Sequence, residues 1–151
     1  LYEHPQHVDA VARLIYEEFW VGVEDGLSLD FLITHLRSAT DPRRIPLSLI
    51  ALRDDGELLG TVNLIENDDS RRAHLRPWLA AMVVAEGRRG QGIGSSLVRA
   101  LLAEARAMGL PRLYFGTDGP GFYTRLGAQL HEQVNEQFCI MRFELDTEEP
   151  R

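Results

Sequence analysis

The sequence predicts an α+β fold built on a mixed, mostly antiparallel sheet, and three observations carry that reading. An apolar run, Trp78–Ala85, passes through a glycine-rich turn into an amphipathic helix and then a short strand, Arg112–Gly116. Strand, helix and strand at this spacing form a right-handed crossover, so these two strands run parallel. The apolar runs flanking Asp54-Asp-Gly-Glu57, and two further runs near the C-terminus, have hairpin spacing, which makes the other pairs antiparallel. Two helical patterns precede the first strand. With 151 residues, 44% of them hydrophobic, the chain is long enough for one domain with a substantial core. Residues 1–146 are expected to form it, and 147–151 a polar tail.

Taken in order, Asp9–Trp20 places Val11, Leu14, Ile15 and Phe19 on one helical face. Gly22-Val-Glu-Asp-Gly26 breaks that helix, and Ser28 caps a second one carrying Leu29, Leu32, Ile33 and Leu36. After the loop Thr40–Pro46, the strands Leu47–Arg53, Leu58–Glu66 and Trp78–Ala85 are expected to form an antiparallel meander. The last of them is apolar throughout, as a strand covered on both faces would be. The crossover helix presents Leu97, Val98, Leu101, Leu102, Ala105 and Met108 at helical spacing; Gly109 ends it and Pro111 prevents its resumption. A short helix over Gly119–Leu126 leads to a final hairpin, Ala128–Asn135 with Gln137–Leu145.

Composition narrows the function. A formal charge of −7 and a pI near 5.2 argue against nucleic acid as the main partner. The single cysteine, Cys139, excludes an intramolecular disulfide and a cysteine-rich metal site, and no metal is expected. No apolar run approaches membrane-spanning length and no signal peptide is visible, so a cytoplasmic protein without a membrane partner is expected. The chain begins at Leu1 rather than methionine, and residues preceding it are expected.

The chemistry gathers at Arg88-Arg-Gly-Gln-Gly-Ile-Gly-Ser95. Gly90, Gly92 and Gly94 alternate, so the backbone can turn sharply and approach a ligand closely. The turn opens onto a helix whose first amides lack intrahelical partners, and a strand–glycine turn–helix unit of this kind holds phosphate. A P-loop requires a lysine after its last glycine, and the chain has none. A dinucleotide fingerprint is nearly met by Gly90-x-Gly92-x-x-Ser95, but the strand Arg112–Gly116 ends without an acidic residue. Arg89-x-x-Gly92-x-Gly94 fits a third pattern, the R/Q-x-x-G-x-G/A loop that holds the pyrophosphate of acetyl-CoA.

Downstream lies Phe122-Tyr-x-x-Leu-Gly127. Taken alone, Phe122, Tyr123 and Leu126 read as packing that pins a short helix to the sheet. In the order Val83-Val84, Arg89 to Gly94, long helix, strand and Phe122 to Gly127, the chain resembles the GNAT superfamily of acetyl-CoA-dependent N-acetyltransferases. The resemblance spans most of the chain and is strongest over Trp78–Ala128. It implies a twisted sheet whose central parallel strands splay around acetyl-CoA, with helices on both faces.

Residue by residue, the resemblance implies backbone pairing of Met82 and Val84 with the pantetheine arm, with Val83 between them also among the cofactor-binding residues. It implies that amides of Arg89, Gly90, Gln91, Gly92, Ile93, Gly94 and Ser95 hold the pyrophosphate, with Arg88 and Arg89 adding charge at the lip. Tyr123 corresponds to the residue that protonates or hydrogen-bonds the leaving thiolate. Many members carry a glutamate on the strand before the glycine loop; Trp78–Val84 has none, which leaves Glu66 first and His74 second as general base, with Asp68 and Asp69 nearby. An asparagine that contacts pantetheine, frequent in the family after the next strand, is also missing, with Gly116 or Thr117 in its place and Thr117 as the substitute contact. The implied activity is transfer of the acetyl group of acetyl-CoA to an amine of a small molecule or peptide. The alternative is a non-catalytic acyl-CoA-binding regulatory domain, which gains nothing from Tyr123. Homodimers are common in the family. The acceptor is not legible: Glu24, Asp25, Glu66, Asp68 and Asp69 suit a cationic amine, whereas Arg71, Arg72, His74 and Arg76 suit an amine bearing a carboxylate.

Overall fold

The computed structural model describes residues 1–145; the polar tail lies outside the described residues. Helix α1, Val8–Ile15, continues into one π-helical segment, Tyr16–Trp20, and helix α2, Leu29–Arg37, follows. Ser28 Oγ accepts the Phe31 N–H at 3.0 Å and caps α2. Next come strands β1, Leu47–Leu52; β2, Leu58–Ile65; and β3, Trp78–Val84. Helix α3 spans Ile93–Ala107 and β4 spans Arg112–Thr117. A one-turn helix α4, Pro120–Thr124, precedes the hairpin of β5, Gln129–Gln133, and β6, Cys139–Glu144.

The six strands form one sheet in the order β1-β2-β3-β4-β6-β5. Every neighbouring pair is antiparallel except β3 and β4, the pair bridged by α3. The terminal hairpin turn is longer than expected: the strands stop at Gln133 and resume at Cys139, and Asn135 Oδ1 accepts the N–H groups of Gln137 and Phe138 at 2.9 Å each to close the turn.

Side-chain alternation sorts the sheet into two faces. On one, α3 buries Leu97, Val98, Leu101 and Leu102 against Val62, Leu64, Leu79, Leu113, Phe115 and Met141, with Tyr123 and Phe122 of α4 packed alongside. On the other, α1 and α2 bury Val11, Ala12, Ile15, Leu32 and Leu36 around Val83. Beyond these helices the same face is covered by the segment joining β2 to β3, whose Leu75 packs on Trp78, Tyr114 and Ile140. Arg72 of that segment makes a two-pronged contact with Glu132 of β5 at 2.7 and 2.9 Å and a 2.7 Å bond to Asp69, pinning it across the sheet.

Candidate active site

The parallel strands touch at a single register position, Trp78 against Tyr114, where the Tyr114 N–H donates to Pro77 O at 3.0 Å. Beyond it they diverge, leaving a gap that opens toward their C-terminal ends. The Ala85 N–H donates to Leu59 O on β2 at 2.8 Å. Alternation therefore turns the backbone groups of Met82 and Val84 to the other edge, toward the gap.

An irregularity in β3 sets that orientation. Asn63 pairs with Ala80 and Thr61 with Val83, so Ala81 and Met82 together oppose Val62, a β-bulge. Ala81 has φ +52°, a left-handed conformation that costs a non-glycine residue about 1–2 kcal/mol. The bulge inverts the alternation, since Leu79 and Met82 both lie on the α3 face while Trp78 and Val83 lie opposite. Nothing in the run Trp78–Ala85 signals a bulge, because no glycine marks it.

The glycine turn follows. Gly90 and Gly92 both have φ +81°, and Gly92 is the residue preceding α3, so the amides of Ile93, Gly94 and Ser95 open the helix without intrahelical partners. Gly94 is buried, and a Cβ there would stand 3.4 Å from Phe122 Cζ and 3.6 Å from Met82 Cε. The start of α3, the bulged strand and α4 thus meet at one point. The two arginines at the lip are engaged: Arg88 grips Glu57 at 2.6 and 3.1 Å, and Arg89 donates to Glu18 at 3.1 Å and to Val84 O at 3.0 Å. An anion at this turn is met first by backbone amides.

Tyr123 is half-buried, its ring centroid 4.4 Å from that of Phe115 and 4.9 Å from that of Phe122. Burial raises its phenol above the usual value, so the hydroxyl keeps its proton through neutral pH. Thr117 Oγ1 accepts the Gly119 N–H at 2.9 Å and shapes the turn into α4.

Glu66 and His74 are exposed and belong to the segment on the opposite face, so the structure does not bring them against Tyr123. Asp68 lies on the same segment; the protein crowded around it and the adjacent Asp69 raise its carboxyl to about 6. Water nevertheless reaches the residue. Sequence reasoning also missed Phe138. Its ring occupies the space that a Cβ on Gly116 would need, so the hairpin turn folds onto β4 at the position where the resemblance implies an asparagine.

Around the α1–α2 connection Phe19, Val21, Val23, Leu27 and Phe31 are exposed. A groove of about 360 Å³ between β1 and α3 touches Gln91 and Gly92 but none of β4 or α4, on the far side of α3 from Tyr123. Among the described residues, no cluster of His, Cys, Asp and Glu has the makings of a metal site, and no helix is long and apolar enough to cross a membrane. Cys139 is buried, which raises its thiol.

The model of the acetyltransferase (GNAT) family matches residues 12–128. No curated protein matches the sequence. Among solved structures, an aminoglycoside 6'-N-acetyltransferase complexed with coenzyme A superposes with a TM-score of 0.68 at 20% identity, over 97% of this chain and 93% of that one. A ribosomal-protein-alanine N-acetyltransferase from Brucella melitensis gives 0.68 at 19%, over 96% of each chain. A GNAT family N-acetyltransferase from Escherichia coli in complex with CoA gives 0.66 at 21%, over 93% of this chain and 77% of that one. At these identities the likeness is one of fold.

Proposed function

The chain belongs to the GNAT acetyltransferase family, and on that premise we propose that it transfers the acetyl group of acetyl-CoA directly to a primary amine of a small molecule or peptide, through one N-acetyltransferase domain over 1–146. The observation that carries this reading is the convergence at Gly94 of the glycine turn, the gap-facing edge of β3 and the helix of Tyr123. In this reading the amides from Arg89 to Ser95 hold the pyrophosphate, and the pantetheine arm lies along β3 at Met82 and Val84 like an added strand. The thioester carbonyl then meets β3 N–H groups that stabilise the negative charge developing on oxygen.

The neutral amine attacks the carbonyl carbon, the C–S bond breaks as the tetrahedral intermediate collapses, and the thiolate takes a proton from Tyr123. A phenol held in its neutral form by burial is a suitable donor. The amine's proton leaves through water toward the segment on the opposite face. There Asp68, raised to about 6, is matched to a base at neutral pH; Glu66 and His74 are on the same segment. The solved neighbours that act on aminoglycosides and on a ribosomal protein's alanine do not choose between acceptor classes for this chain.

Thermal unfolding with acetyl-CoA, CoA, NAD and ATP in parallel tests the reading. A ligand at a hundred times its Kd stabilises by about 2.7 kcal/mol. Acetyl-CoA and CoA are expected to raise Tm while NAD and ATP do not, after which release of free thiol identifies the amine. Absence of a shift with either coenzyme A species would overturn the cofactor assignment. A coenzyme A shift without thiol release across an amine panel would favour a binding domain over an enzyme.

A further inference from the structure

We infer that Asn63, a side chain on β2 outside both family motifs, is a positioning residue for acyl transfer. It clamps the β3 bulge so that the Met82 and Val84 N–H groups face the β3–β4 gap. The inference rests on the acyl-transfer reading above.

Three observations meet here. Asn63 is 6% exposed on the face of β2 away from α3, which it shares with the wholly buried Thr61. A polar amide in that setting needs its hydrogen bonds met inside the protein. Its Nδ2 donates to Ala81 O at 3.3 Å, and Ala81 is the left-handed residue of the bulge. The same Nδ2 lies 3.5 Å from Thr61 Oγ1, which donates to Leu49 O at 2.9 Å, so the amide is tied through Thr61 to β1 as well. Thr61 and Asn63 are the β2 residues paired on either side of the bulge. Together they form a short polar chain running from β1 to the Ala81 carbonyl.

What the clamp holds follows from strand geometry. A strand alternates with period two, so removing the extra residue exchanges the two edges of the segment beyond it. In a regular β3, the groups of residues 82 and 84 would turn to β2 and those of residues 81 and 83 to the gap. Met82 would then leave the α3 face, where it touches Gly94. The bulge thus decides which amides meet an acyl carbonyl. Ala81 has no glycine's freedom to adopt its conformation, and Asn63 supplies the side-chain hydrogen bond to its carbonyl.

The test uses Asn63→Leu, close in shape and without donors, with Ala81→Gly as its partner. Bound 1-¹³C-acetyl-CoA reports the carbonyl directly, and steady-state turnover reports the chemistry. In the wild type, the carbonyl resonance should move downfield on binding. In Asn63→Leu that displacement should fall by half or more and kcat by at least tenfold, with the CoA Kd and the acetyl-CoA KM within threefold. Adding Ala81→Gly, which adopts the left-handed conformation freely, should restore at least a third of the lost kcat.

An unchanged carbonyl shift and kcat within threefold of wild type would overturn the role of Asn63. So would equal losses of CoA affinity and turnover, which mark a merely structural residue. If Asn63→Leu lacks a cooperative melting transition, Asn63→Ser, too short to reach Ala81 O, carries the same expectations and the same overturning results. A wild-type protein that binds no acetyl-CoA would sink the acyl-transfer reading and this inference with it, whereas wild-type binding and turnover matched by the variant would sink this inference alone.

Discussion

Tyr123 and Asp68 are displaced from their ordinary titration in the same direction but with opposite consequences. The Tyr123 phenol is raised by burial and stays neutral, the form that the proposed proton donor requires. Tyr123→Phe is expected to lower kcat about 10²–10⁴-fold, with CoA affinity unchanged by isothermal titration. The Asp68 carboxyl is raised from 3.8 to about 6, so the folded state binds this proton more tightly than the unfolded chain does. Stability from this residue is therefore greatest at low pH, falls as pH rises between those two values and is level above them. Asp68→Asn should melt above the wild type at pH 7.5, with the difference vanishing below pH ~3.8. A shift of this size corresponds to about 3 kcal/mol at full burial; discounted for the water that reaches Asp68, about 1 kcal/mol is expected. A variant no more stable at pH 7.5 would show that the crowding around Asp68 relaxes in solution.

At the scale of elements, the pyrophosphate role proposed for the glycine turn rests on backbone conformation and not on its arginines. Arg88 and Arg89 are matched by Glu57 and Glu18, while Gly92 adopts φ +81° immediately before α3. Gly92→Ala meets no steric obstacle to its Cβ but must hold a left-handed conformation, at a cost of about 1 kcal/mol. The CoA Kd should rise about tenfold if the turn relaxes and re-aims the α3 amides. Gly116→Ala is the contrasting case: its Cβ meets the Phe138 ring and must push that partly exposed side chain aside, so the variant should melt below the wild type by about 1 kcal/mol. A Tm equal to the wild type's would show that the Phe138 ring yields without cost.

Across the whole molecule, the segment between β2 and β3 covers the end of the sheet that α1 and α2 leave bare. Leu75 supplies its apolar contact and Arg72 its polar anchor on Glu132 and Asp69. The Arg72 guanidinium hydrogen-bonded to Glu132 holds that carboxyl below its ordinary value. Arg72→Ala should melt below the wild type, with the difference shrinking at high salt because Glu132 is exposed. A salt-insensitive loss would assign the effect to packing of the Arg72 stem instead.

Hydrophobic periodicity, glycine placement and turn chemistry determined the element order, the antiparallel meander, the crossover pair and the location of the glycine turn, because these depend on residues near one another in sequence. The spacing of Arg89, Gly92, Gly94 and Tyr123 likewise made the family legible. Only the tertiary structure decided what depends on side chains meeting across strands. Ala81 carries no local signal for a left-handed φ; Asn63, Val62 and the neighbouring pairs impose it from β2. Phe138 reaches Gly116 only because β6 pairs with β4. Glu66 and His74 are close to β3 in sequence, yet the packing of Leu75 on Trp78, Tyr114 and Ile140 carries their segment to the face opposite Tyr123. Strand pairing and burial are set by contacts between residues far apart in the chain, and no local pattern encodes them.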